Sequence, residues 1–228
     1  MISSLLPLLQ ICDSNFPSGA FSHSFGLETY IQEWTIEDRE SFQAAIEQYV
    51  YSQCTYTDGL AFRLSFEAME EGKPEKLWRL DQELFALANA KETREGNRRV
   101  GRQLAKVMNE LYKFNLLQEY ETGVKSKKRH GHSAIVYAIV CRELGASLKE
   151  ALTIYLFASA SSLVQNGVRG IPLGQTDGQK LLRDLQPLLH SQAEIILSLS
   201  EEDFGGSAPG LEIAQMIHED LPVRLFMS

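Results

Sequence analysis

The sequence predicts an all-α protein: a single-domain compact bundle of about eight to ten helices with a flexible C-terminal tail. Two observations carry that prediction. Apolar residues recur at helical spacing along most of the 228 residues, and no period-2 run of useful length interrupts them. Glycines, prolines and short polar capping residues punctuate the stripes at intervals that suit helices. Residues 1–200 read as the helical body. Residues 201–228 read as an acidic, Gly-rich linker, a short helix and a tail that docks on a partner.

Taken in order, Leu5, Leu6, Leu8, Leu9 and Cys12 form a short amphipathic helix whose first turn tolerates Pro7. Asn15 to Glu28 then breaks the pattern with turn formers (Pro17, Gly19), hydroxyls (Ser18, Ser22, Ser24), aromatics (Phe16, Phe21, Phe25) and His23. Pro17-Ser18-Gly19 predicts a tight turn. Ser22 or Ser24 is the expected cap of a helix through Leu27, Tyr30, Ile31 and Trp34. Thr35 is the expected cap of the next helix, whose apolar face is Phe42, Ala45, Ile46, Tyr49 and Val50. Asp58-Gly59 is expected to loosen the chain before Leu60, Leu64 and Met69. Glu71-Gly72-Lys73-Pro74 predicts a stop and restart.

Leu77, Leu80, Leu84 and Leu87 begin a stripe that passes through Glu92-Thr93-Arg94 and resumes at Val100, Leu104, Val107 and Leu111. One long helix or two collinear ones are expected, with Gly96 and Gly101 as weak points or places of close backbone approach. Gln118 to Arg129 is expected as a connection, and Ser133 as the cap of a helix ending at Gly145. Ser147 with Glu150 is a capping box that opens an Ala/Ser-rich helix from Leu148 to about Val164. Gly167 to Gly174 should break it. A further helix from about Thr176 to Leu199 carries Pro187, where a kink is expected. Glu201 to Gly210 then reads as a linker, and Leu225 and Phe226 as an apolar tail with no evident place to bury.

Composition narrows the function. The 22 basic and 30 acidic residues leave a net charge of −8, which opposes general binding to nucleic acid or an anionic membrane. The basic run Lys125 to His130 reads as a solvated connection. Cys12, Cys54 and Cys141 form no CxxC pair, which suits a reducing cytoplasm. No apolar run reaches the ~18 residues a membrane span needs. Met1 to Leu5 lacks the basic stretch of a secretory signal. A cytoplasmic setting is expected.

A search for catalytic chemistry yields little. Gly174 to Lys180 fails the phosphate-loop pattern, because three residues separate its glycines and Leu181 follows Lys180. His130 and His132 are the best metal-ligand candidates, yet no carboxylate pair or Cys cluster completes a coordination set. His23 reads as a packed, hydrogen-bonded residue. The serines lack a GxSxG setting. What stands out is a set of specific, non-catalytic stretches: Asn15 to Glu28, Glu92-Thr93-Arg94, Gly167 to Gln179 and the Arg224-Leu225-Phe226 tail. They suit a helical protein that docks partners.

Those stretches, in that order, resemble the urease accessory protein UreF family: Asn15 to Glu28, Glu92-Thr93-Arg94, Ile171-Pro172-Leu173-Gly174-Gln175 and Arg224-Leu225-Phe226-Met227-Ser228. Family members often carry Lys before the Pro-Leu-Gly-Gln turn, where this chain has Arg169; the charge is kept and the geometry altered. The resemblance implies a homodimer without catalytic activity or cofactor of its own. It further implies a bridge between UreD/UreH-bound urease apoprotein and the GTPase UreG, with nickel and GTP held by the partners. Glu28, Asp58, Glu92, Arg169, Arg224, Leu225 and Phe226 are the expected partner-binding residues. The rival reading is a stand-alone helical nickel-binding protein using His130 and His132. A nucleic-acid module built on Lys125 to Arg129 ranks below both.

Overall fold

The computed structural model describes residues 2–206 and 208–226. All regular structure among them is helical: α1 (Ile2–Cys12), α2 (Leu27–Gln32), α3 (Arg39–Tyr49), α4 (Leu60–Glu70), α5 (Pro74–Leu87), α6 (Lys91–Leu111), α7 (Asn115–Lys125), α8 (Ser133–Glu143), α9 (Leu148–Gly170), α10 (Gln175–Ser198) and α11 (Pro209–Ile217). A π-helical segment, Val50–Gly59, joins α3 to α4, and single 3₁₀ turns lie at Ala20–Ser22, Glu201–Asp203 and His218–Asp220. The all-α prediction holds. Among the described residues no helix is long and apolar enough to cross a membrane.

Helix α8 is the axis of the body. Its sequence has no polar face from Ala134 to Cys141, and every one of these side chains is buried. A helix that is apolar all round must be surrounded. Helices α4, α6, α5, α7 and α9 supply the surround. The long α9 and α10 pair against each other on one side, with the π-helical segment packed on both.

Local signals explain most boundaries. Gly72 takes φ 70° and Pro74 occupies the first turn of α5. Ser147 and Glu150 form the expected reciprocal capping box. Gly101 allows α6 to touch the chain before α8, since a Cβ there would lie 2.1 Å from the Gly131 carbonyl oxygen. The stripe through Glu92 is interrupted: α5 ends at Leu87, and three residues intervene before α6.

Several expectations differ from the structure. Asp38, not Thr35, caps α3, because its carboxylate accepts from Ser41 N while the Ser41 hydroxyl reaches back to the Asp38 N–H. Neither Ser22 nor Ser24 caps α2; Gly26 does so at φ 91°, a conformation that favours glycine. His132 rather than Ser133 caps α8, its Nδ1 accepting from Ala134 N at 3.3 Å. Residues 115–125 are helical rather than a connection, with Gly123 leaving room for the Arg129 side chain. Helix α9 continues past Val164 to Gly170.

Around Asp58-Gly59 the helix widens instead of loosening. Gly59 is suited to that geometry, since a Cβ would meet the Cys54 carbonyl oxygen at 2.3 Å. Thr55 also returns its hydroxyl to Val50 O at 2.7 Å. Helix α10 runs through Pro187.

The residues expected as a linker are stitched to the body. Ser200 and Asp203 cap each other's backbone, and Arg79 pairs with Glu201. Gly205 N donates to Tyr56 O at 2.9 Å. Ser207, Met227 and Ser228 lie outside the described residues.

Candidate functional site

Parts of three family-like stretches, far apart in sequence, meet at one place beside the end of α9: Glu28, Glu92 and Arg224 to Phe226. Two successive left-handed residues, Phe25 at φ 50° and Gly26 at φ 91°, turn the opening segment so that α2 enters the body with Glu28 in its first turn. There α2 lies on α11: Thr29 Oγ1 donates to Ala214 O at 2.7 Å, and Gln215 Nε2 donates to Phe25 O at 3.3 Å. A side chain at Gly26 would strike Gln215, its Cβ 2.7 Å from that Cγ.

Glu28 is 1% exposed, and its carboxylate accepts from three donors. Leu225 N lies at 2.5 Å, Phe226 N at 3.1 Å and His218 Nε2 at 2.9 Å. The other ring nitrogen of His218 meets Glu92 Oε2 at 2.7 Å, and Glu92 Oε1 accepts from Arg224 Nη1 at 2.6 Å. The result is a continuous chain, Glu28–His218–Glu92–Arg224, that closes the C-terminal tail onto α2 and α6.

Burial alone pushes Glu28 up, but the hydrogen bonds from His218, Leu225 and Phe226 outweigh it, and the carboxyl is held below its ordinary value. Burial pushes His218 down, and its bonds to Glu28 and Glu92 outweigh that, raising it above the ordinary imidazole value. Both shifts favour the charged pair.

Phe226 is buried where no site was evident from the sequence. Its ring packs beside Gly170 and under the Arg169 guanidinium, whose Cζ is 5.3 Å from the ring centroid. Arg169 also bonds Asn166, and Asn166 Nδ2 donates to His23 O at 2.5 Å. The opening segment and the end of α9 are thereby joined. His23 packs its ring against Gly96 and Phe25. Leu225 points the other way and is 65% exposed.

Of the predicted partner-binding residues, the structure brings together Glu28, Glu92, Arg169, Arg224, Leu225 and Phe226. Asp58 lies apart from them, buried in the π-helical segment. Its Oδ1 is 3.9 Å from His132 Nε2 and has no hydrogen-bond partner among the described residues. It faces a cavity of about 240 Å³ shared with Thr93, Asn97, His132 and Gln215. Burial pushes Asp58 up and His132 down.

His130 and His132 do not converge. His130 stacks on Phe85 with ring centroids 3.8 Å apart, while His132 turns inward to cap α8. Among the described residues no group of three or more His, Cys, Asp or Glu side chains is placed to hold a metal ion. Burial pushes the Cys12 thiol up to about 11 and raises Cys54 and Cys141 as well, the reverse of what a nucleophile needs.

Two central residues escaped the sequence reading. His218 sits in an ordinary polar helix end, and its carboxylate partners are 126 and 190 positions away. Asp81 lies within a leucine stripe, yet it is fully buried and organises the loop before α8. It accepts from His130 N at 2.6 Å, Gly131 N at 3.2 Å, His132 N at 3.0 Å and Tyr120 OH at 2.7 Å. A carboxylate amid leucines was the available signal, since such a residue is either a helix-surface charge or a buried anchor.

Comparison with known proteins agrees with the resemblance those stretches carry. The UreF family model matches residues 36–186. The urease accessory protein UreF of Bacillus sp. (strain TB-90) is 55% identical over 227 residues, covering 100% of both chains. That of Geobacillus kaustophilus (strain HTA426) is 54% identical over 224 residues, covering 98% of each. That of Lachnoclostridium phytofermentans (strain ATCC 700394 / DSM 18823 / ISDg) is 45% identical over 228 residues, covering 100% of both. A match of this breadth settles the family: the chain belongs to the UreF urease accessory proteins.

Proposed function

We propose that this chain is a non-catalytic maturation factor that dimerises and bridges UreD/UreH-bound urease to the GTPase UreG, so that nickel is inserted into urease in a GTP-dependent step. In this reading nickel and GTP are cargo and ligand of the partner proteins, and the work takes place in the cytoplasm. The observation that carries the reading is the clamp on the tail. A buried, charge-paired carboxylate fixes Leu225 and Phe226 so that one side chain is anchored and the next is presented. Exposed apolar side chains accompany Leu225 in the last quarter of the chain, among them Ile213 and Val223, and Trp34 follows α2. Gln32 Nε2 donates to Val223 O, which sets Val223 beside the end of α2, and adjoining exposed apolar side chains suit an interaction surface.

The tail and the opening segment form the UreD/UreH-facing surface in this proposal. Arg169 and the turn from Gly170 to Gly174, with the Ala/Ser face of α9, serve the dimer and the GTPase. Charges at such positions set register and association rate more than affinity. Glu28 acts from within, by holding the tail whose surface is read, while Asp58 lies apart in the π-helical segment.

Deleting the last eight residues should abolish co-purification with UreD/UreH and spare the homodimer; retention of that complex contradicts the tail assignment. Arg169→Ala should weaken GTPase capture in a pull-down with an unchanged circular dichroism spectrum, and unaltered capture contradicts the second assignment.

A further inference from the structure

Helix α6 carries a feature that the clamp does not use. Arg99, Arg102 and Lys106 follow one another at i, i+3 and i+7, a row of cations along about 10 Å of helix. With Lys125 and Lys127 at the end of α7 and the Ser18-Gly19 turn, they line an open cleft of about 620 Å³. The base of the cleft is apolar, at the buried Val100 and Val124. The one carboxylate among its described lining residues, Glu121, is occupied by Lys125 Nζ at 2.8 Å and Asn109 Nδ2 at 2.9 Å. Among the described residues, Arg102, Lys106 and Lys127 have no carboxylate within 4.0 Å. Burial and the neighbouring cation of Arg98 push the Arg102 guanidinium below its ordinary value. The whole chain carries −8, so this cleft inverts the sign of its surroundings.

We propose that this cleft docks an acidic amphipathic helix of a partner protein, with carboxylates at i, i+3 and i+7 meeting Arg99, Arg102 and Lys106 and an aliphatic side chain resting on Val100 and Val124. The length of the row selects the occupant. A single phosphate covers only part of ~10 Å of helix, whereas two turns of an acidic helix match it. Arginine pairs with carboxylates through two parallel hydrogen bonds, which adds register to attraction. Nucleic acid fits less well, because the net negative chain repels a long polyanion. The proposal stands apart from the bridging function, since it rests on this cleft alone.

Fluorescence anisotropy tests it on the full chain. The probe is a labelled alanine-based helical peptide with glutamates at i, i+3 and i+7 and a leucine at i+4. Its control is an isomer of the same composition with the glutamates dispersed around the helix. The row peptide should bind the intact chain at least about tenfold more tightly than the isomer, with affinity falling as salt rises. Arg102→Glu with Lys106→Glu should remove that preference, Lys106→Ala should reduce it, and Lys180→Glu on α10 should leave it unchanged. Circular dichroism checks each variant, and Lys106→Ala carries the test if the double reversal does not fold. No binding at low salt, equal binding of the isomer, an unaffected Lys106→Ala variant, or preferential displacement by inorganic triphosphate or a single-stranded oligonucleotide would overturn the proposal.

Discussion

Replacing Glu28 by Gln should free the C-terminal tail without unfolding the body. The substitution preserves size and shape but removes the charge that His218 and two backbone N–H groups share. Hydrogen bonds to a charged group contribute about 1.5–3 kcal/mol each, and breaking one partner of a buried ion pair costs about 3–5 kcal/mol. The glutamine amide can still offer one oxygen to Phe226 N and His218, but its NH₂ group then faces the Leu225 N–H, donor against donor. A loss of about 3 kcal/mol in tail docking follows, or roughly 10²-fold in the closed-to-open ratio. Amide hydrogen exchange reads this directly. Protection at Leu225 and Phe226 should fall by that factor, while α8, which the clamp does not touch, keeps its protection.

The same clamp sets a pH window. His218 is raised in the folded chain, so its contribution is complete below the ordinary imidazole value of 6.5 and is lost as pH rises through the higher folded value. Glu28 is lowered, so its contribution is complete above 4.5 and is lost as pH falls through the depressed folded value. Tail protection, corrected for intrinsic exchange, should therefore be greatest between those two values. Wild-type protection in Glu28→Gln, or a tail whose corrected protection ignores pH, refutes the reasoning.

Two further outcomes concern the body. Asp81→Ala leaves the Tyr120 hydroxyl and three backbone N–H groups without their acceptor, and should cost at least about 3 kcal/mol, read as a lower midpoint in urea with little change in slope. Gly101→Ala adds helix propensity worth about 1 kcal/mol, yet its Cβ collides with the Gly131 carbonyl, so thermal unfolding should occur at lower rather than higher temperature.

The parts of the fold that were legible in the sequence are those set by neighbours in the chain. The Ser147–Glu150 capping box, the Gly72 stop with Pro74 restart, and the unbroken apolar run of α8 each encode their structure within a few residues. Helix α7 was hidden because Gly123 looks like a breaker until Arg129 is seen to fill the space beside it. The π-helical segment was hidden because its wider turn presents no 3.6-residue stripe. The clamp is legible only as a set of unusual stretches. Glu28 and Phe226 are 198 positions apart, and no local rule couples a helix-first-turn glutamate to a terminal phenylalanine. The tail misled for the same reason: its pocket is assembled from α2, α6 and the end of α9, none of which is near it in sequence.

Urease activity in cells that co-express the urease structural and accessory genes, measured at limiting nickel with this chain present, omitted, or carrying Glu28→Gln, tests the account most directly. Activity should require the chain, and the variant with the released tail should restore only part of it. Full urease activity with the chain omitted would contradict its role as a maturation factor.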